Sequence, residues 1–141
     1  MNCQTVLSKA TKILKGQLIK NPKLDCEILL SNALKIEREK LLINLNQEIN
    51  EKDLNNFNNL IDRRKRKEPI AYIIGYKEFW KKKFKVNTNV LIPRPDTEHL
   101  VEEALKLIPN NSSLNILDIG TGSGCIILSI LSERNKCYGV A

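Results

Sequence analysis

The chain has 141 residues, 42% of them apolar and 28% charged, with a formal net charge of +7. That length suffices for one ordinary domain or a small domain plus a piece of another, and the composition describes a globular chain with a core and a charged surface. No run approaches the roughly 18 consecutive apolar residues of a membrane span, and Met1-Asn2-Cys3-Gln4 lacks a basic segment followed by an apolar core, so no membrane is expected and the protein is read as cytoplasmic.

The positive charge suits a nucleic-acid or acidic protein partner. A preference for Lys, Asn and Ile runs along the whole chain, however, so a directly bound nucleic acid is not expected. Cys3, Cys26, Cys125 and Cys137 stand far apart without a C-x-x-C pair, and His99 is the only histidine. That spacing suits no zinc site, no metal is expected, and the thiols are read as reduced and buried.

Apolar residues at three- and four-residue spacing predict helices over roughly the first seventy residues. Val6, Ala10, Ile13, Leu14 and Leu18 form a first face. Asn21-Pro22, a cap followed by proline at the first helical position, opens a second helix carrying Leu24, Ile28, Leu30, Ala33 and Leu34. A shorter piece surrounds Leu41, Leu42 and Leu45. Asn50 and Asp53 resemble a capping box before a helix with Leu54, Phe57, Leu60 and Ile61, which ends by Glu68-Pro69. The run Arg63-Arg64-Lys65-Arg66-Lys67 has two readings: a solvated helix end, favoured by the dipole, or a docking face to which Lys81, Lys82 and Lys83 contribute.

Residues 70 to 92 carry most of the aromatics and many β-formers, which predicts two strands in a hairpin. The stiff segment Ile92-Pro93-Arg94-Pro95-Asp96 leads into a helix bearing Leu100, Val101, Ala104, Leu105 and Ile108, with Asp96 as its cap. His99 is read as an ordinary residue of that helix's surface. After a loop over Pro109 to Ser113, Leu114 to Ile119 is a compact strand, Cys125 to Leu131 a helix, and Cys137 to Ala141 another strand. Strand, glycine loop, helix and strand in that order open a doubly wound α/β fold.

Between that strand and helix stands Asp118-Ile119-Gly120-Thr121-Gly122-Ser123-Gly124. Glycines let the backbone turn sharply and approach a ligand closely, and the amides at the following helix start can meet an anion. The dinucleotide pattern G-x-G-x-x-G fits imperfectly, because Cys125 stands where the last glycine or alanine belongs. An acidic residue before G-x-G-x-G instead resembles the first motif of class I methyltransferases. That resemblance implies S-adenosylmethionine bound by Asp118, Gly120, Thr121, Gly122, Ser123 and Gly124, the carboxylate facing the cofactor's ammonium and backbone amides facing its carboxylate.

Glu68-Pro69-Ile70-Ala71-Tyr72, Gly75, Glu78-Phe79-Trp80 and Leu91-Ile92-Pro93-Arg94-Pro95-Asp96-Thr97-Glu98 closely resemble one group of these enzymes, the HemK-type release-factor glutamine methyltransferases. The resemblance covers essentially the whole chain and is strongest from Glu68 to Gly124. It implies an α/β protein in three parts: a small helical bundle over residues 1–69 that docks the substrate, a β-hairpin linker over 70–92, and over 93–141 the truncated start of a class I, Rossmann-like methyltransferase domain. It also implies peptide chain release factors as partners and places Leu91 and Arg94 near the substrate. The family's acidic ribose-binding residue and its Asn-Pro-Pro-Tyr clamp on the substrate amide find no counterpart before Ala141. The expectation is therefore a fragment, a relic, or a chain that needs a C-terminal half, inactive alone and with no catalytic residue of its own. Two alternatives remain: a nucleic-acid amino-methyltransferase, which the linker motif disfavours, and a non-enzymatic docking module or relic that binds a release factor or RNA.

Overall fold

Helix α1 (Cys3–Gly16) starts where Asn2 adopts extended backbone and its side-chain oxygen accepts the Thr5 amide at 3.0 Å, a cap that stabilises a helix by about 1 kcal/mol. It buries Cys3, Val6, Ala10 and Leu14, one stripe at helical spacing. Leu18, assigned to this stripe from its spacing, does not join it. The helix stops at Gly16, and Leu18 sits beyond it with φ of 56° and 88% exposed. The computed structural model describes all 141 residues and divides into two compact units, Met1–Ile74 and Gly75–Ala141.

In the first unit α2 (Pro22–Leu34) has Pro22 at its first position, but the Asn21 side chain makes no capping hydrogen bond. This helix buries Cys26, Leu29, Leu30 and Ala33, while Leu24 faces solvent. After α3 (Arg38–Ile43), α4 (Glu51–Lys65) opens on Asn50, whose oxygen accepts the Asp53 amide and whose side-chain nitrogen donates to the Asp53 carboxylate, both at 2.8 Å. The paired cap is therefore real. Leu14, Leu29, Leu30, Leu41 and Phe57 are fully buried at the centre of the unit.

Residues 70–74, expected as strand, form a short helix, α5 (Ile70–Ile74). The Pro69 carbonyl accepts the amides of Tyr72 at 3.0 Å and Ile73 at 3.1 Å, so the proline that ends one helix opens the next. A short apolar run fits a buried strand or a buried helical turn equally well, and packing of Ala71 and Ile73 decides here. The hairpin occupies only the middle of the expected segment. Strands β1 (Tyr76–Phe79) and β2 (Lys82–Lys85) pair antiparallel, with Tyr76 opposite Lys85 and Phe79 opposite Lys82.

In the second unit α6 (Thr97–Leu107), β3 (Asn115–Leu117), α7 (Cys125–Glu133) and β4 (Tyr138–Val140) follow, and β3 and β4 pair in parallel. Seven helices and two small sheets make a mixed α/β chain. Asp96, expected to cap α6, stands at the cap position with helical backbone and makes no side-chain capping bond. Its carbonyl accepts the His99 amide instead, because the turn through Arg94-Pro95 already carries helical geometry into the first turn. Phe79, Phe84, Val101, Cys125 and Ile130 form the core, the two phenyl rings edge to face at 6.0 Å. No helix is long and apolar enough to cross a membrane.

Candidate functional site

The loop between β3 and α7 is fixed at both ends. The Asp118 amide donates to the Val140 carbonyl at 2.9 Å, which extends the parallel pairing one residue past β3. Beyond it Gly120, Gly122 and Gly124 have φ of 78°, 58° and 77°, a region in which side chains with a Cβ are strained. The Gly124 amide donates to the Thr121 carbonyl at 2.9 Å and closes the turn, and the Leu128 amide donates to the Gly124 carbonyl at 3.0 Å as α7 begins. Gly124 is the cap residue and offers no side chain, so the first amides of α7 meet no capping group from it. Those amides and the helix dipole make the loop a place for negative charge.

Four buried side-chain atoms find no hydrogen-bond partner, and three belong to this loop: Asp118 Oδ2, Thr121 Oγ1 and Ser123 Oγ. Buried polar atoms are normally paired, since leaving one unpaired costs roughly 1–3 kcal/mol. Space beside the glycines is open. A Cβ built on Gly120 meets nothing within 4 Å, and one on Gly122 meets only the Gly120 carbonyl at 4.0 Å. An acceptor, two hydroxyls and uncapped amides on one loop are groups that suit a ligand carrying both an ammonium and a carboxylate, as S-adenosylmethionine does. The structure thus places Asp118 to Gly124 on one loop between β3 and α7. Leu91 and Arg94 are exposed beside the buried Pro93, and neither shares a hydrogen bond or ion pair with the loop.

Three features that position this site were not read from sequence. Gly139 of β4 lies against α7 so closely that a Cβ there would stand 2.7 Å from Leu131 Cδ1 and 2.8 Å from Ile127 Cγ1. Glycine inside a short strand is the available signal. Arg134, just after α7, donates to the Leu105 and Ile108 carbonyls at 2.7 and 2.8 Å and so satisfies the open C-terminal end of α6. Trp80, at the hairpin turn, is held by two carboxylates: its amide donates to Glu98 at 2.8 Å and its indole N–H to Glu133 at 3.0 Å. Glu98 belongs to α6 and Glu133 to α7, so the hairpin tip is tied to the helix that carries the loop.

A parallel strand pair, with a glycine loop carrying unsatisfied polar groups and a helix between its strands, makes this part a small α/β unit. A model of the PrmC N-terminal domain matches residues 5–75, and the chain belongs to that family. Curated relatives cover most of it. A release factor glutamine methyltransferase of Caulobacter vibrioides is 39% identical over 127 residues, 90% of this chain and 44% of that protein. Proteins of the same name from Coxiella burnetii and from Buchnera aphidicola of Schizaphis graminum are 44% and 46% identical over 91% and 94% of this chain, and in each case over 47% of the relative. The chain spans a little under half the length of these relatives. Their names agree with the HemK-type resemblance carried by the motifs from Glu68 to Gly124.

Proposed function

We propose that the Asp118–Gly124 loop binds S-adenosylmethionine, and that the chain supplies this half-site to a cytoplasmic enzyme that methylates the glutamine side-chain amide of peptide chain release factors. The observation that carries the reading is the set of unpartnered buried atoms, Asp118 Oδ2, Thr121 Oγ1 and Ser123 Oγ, on a loop whose positive-φ Gly120 and Gly122 leave room beside the backbone. The relatives' names support the substrate.

Each group has a task in this reading. Asp118 accepts hydrogen bonds from an ammonium, the amides at the start of α7 receive a carboxylate, and Thr121 and Ser123 complete the polar wall. S-adenosylmethionine, when bound, supplies an electrophilic methyl group on a sulfonium. The protein contributes by holding its ligand in one orientation, which lowers a transfer barrier through positioning. Leu91 and Arg94, exposed and fixed by Pro93 and Pro95, are assigned to the substrate side. The test is calorimetric titration of the full chain with S-adenosylmethionine. Binding is expected in the parent chain, lost in Gly122→Asp, weakened about tenfold or more in Asp118→Asn and unchanged in Arg94→Ala. A folded parent chain that binds nothing overturns the reading.

A further inference from the structure

The helical unit carries a groove that lies outside the proposed cofactor loop. A cavity of about 430 Å³ is lined by Leu7, Lys12 and Lys15 of α1, by Lys23 of α2 and by Leu42 and Leu45. A second cavity of about 380 Å³ shares Lys23 and Glu27 with it and adds Lys20, Leu24 and Arg38. The two adjoin at Lys23 and Glu27, and the larger forms a groove along α1. Its stripe on α1 runs from Gln4 to Lys15, which at about 1.5 Å per residue is about 16 Å, or three helical turns.

The charge of this groove is one-sided. Residues 1–24 contain Lys9, Lys12, Lys15, Lys20 and Lys23 and no Asp or Glu. The first acids, Asp25 and Glu27, are buried and neutralised: Arg64 lies 2.7 Å from Asp25 and Arg38 lies 2.6 Å from Glu27. Lys12, Lys15 and Lys23 are exposed and enter no ion pair. Between them Leu42 remains 37% exposed, and Leu7 and Leu45 are half-buried.

From this we infer that the groove takes an acidic amphipathic helix of about three turns from a partner protein. Apolar side chains of such a helix would meet Leu7, Leu42 and Leu45, and carboxylates on its flanks would meet Lys12, Lys15 and Lys23. Charge complementarity selects the sign of the partner, and the leucines select a protein over a single-stranded nucleic acid. Nucleic-acid grooves combine positive charge with aromatic rings on which bases stack, and no aromatic residue lines either cavity. The inference gives a place and a partner chemistry to the docking role that the family resemblance implies for the helical bundle, and its test is independent of S-adenosylmethionine binding.

The experiment uses the full chain and three labelled probes in fluorescence anisotropy: a helical peptide with leucines at three- and four-residue spacing and glutamates elsewhere, the same composition with the leucine spacing scrambled, and a single-stranded RNA of equal charge. The spaced peptide is expected to bind best, with the scrambled peptide about tenfold weaker. Double charge reversal by Lys12→Glu and Lys15→Glu should weaken the spaced peptide about tenfold or more, while Lys52→Glu on α4 leaves it unchanged. Leu42→Ser, at a partly exposed site, provides a second variant should the double reversal perturb folding, as checked by circular dichroism. Failure of the spaced peptide to bind, equal binding of the scrambled one, tighter binding of the RNA, or indifference to the groove substitutions in folded chains overturns the inference.

Discussion

At Trp80 and Lys81 the backbone has φ of 49° and 59°, the pair of positive values that a two-residue type I′ hairpin turn requires and that Asn-Gly normally supplies. Each costs about 1 kcal/mol for a residue with a Cβ, and the two carboxylates on Trp80 hold the turn in place. Lys81→Gly, which removes one strained residue and leaves both hydrogen bonds of Trp80 in place, is expected to raise the urea midpoint followed by the fluorescence of Trp80, the single tryptophan; a lower midpoint would show that the strain is absent. Gly139→Val should have the opposite effect, destabilising by about 2 kcal/mol, because its Cβ would enter the space of Ile127 and Leu131. Burial pushes the Cys26 thiol from its ordinary value of 9.0 up to about 11. The neutral thiol therefore stabilises the fold fully below about pH 9, and that contribution is lost as pH rises towards 11. Cys26→Ala, despite the methyl-sized void it leaves, should flatten the fall in stability over this range, and an unchanged slope would count against the assignment.

Among the elements, the basic run at the end of α4 shows what a sequence pattern leaves open. Charge and position alone suit a solvated helix end or a docking face. The structure uses two of the run's three arginines within the helical unit, Arg64 bonding Asp25 of α2 at 2.7 Å and the Glu68 carbonyl at 2.9 Å, and Arg63 pairing with Glu68 and reaching the carbonyls of Tyr72 and Ile73 at the end of α5, while Lys65, Arg66 and Lys67 stay exposed. Periodicity identifies α1 and α4, because long amphipathic faces repeat often enough to be read, whereas α2, buried on several sides, is marked by Pro22 at its start. Periodicity misses α5, five residues long, and it overruns α1 at Leu18, because neither boundary is written in the spacing. Long-range pairs such as Asp25 with Arg64 leave no local trace at all. Since Asp25 is buried, Arg64→Met should cost about 3 kcal/mol, whereas the double change with Asp25→Leu should recover much of that loss in a thermodynamic cycle. Additive losses would refute the pairing. The Arg63 guanidinium, by its hydrogen bonds, holds Glu68 below the usual carboxylate range, so this contribution is present above the unfolded-state value and disappears as pH falls through the lowered one. Glu68→Gln should accordingly make the acid limb of the stability profile less steep.

For the molecule as a whole, the two units differ in how much core each encloses. Fifteen residues from Cys3 to Ile73 form the buried cluster of the helical unit, whereas five form that of the second. The parallel pair of β3 and β4 is only two strands wide, and Leu117, Ile119, Tyr138 and Val140 on and beside it are exposed. Parallel sheets ordinarily have both faces covered, so the part bearing the glycine loop has less apolar burial to offset its chain entropy. Composition shows a helix-patterned segment before one rich in aromatics and glycines, and the loop was legible because its glycines are local. The closeness of Gly139 to α7 and the hold of two helices on Trp80 depend on residues distant in sequence and emerge only from the packed chain. The consequence is a specific order of unfolding. Far-UV ellipticity reports mainly the helices, most of whose residues lie in the first unit, while Trp80 fluorescence reports the second. In urea, the fluorescence midpoint is expected to fall below the ellipticity midpoint, and S-adenosylmethionine should raise the former selectively if the loop binds it, because a ligand stabilises the unit that holds it. Coincident transitions, unmoved or moved together by the ligand, would mean that the two units unfold as one and that the smaller core does not set the first loss of structure.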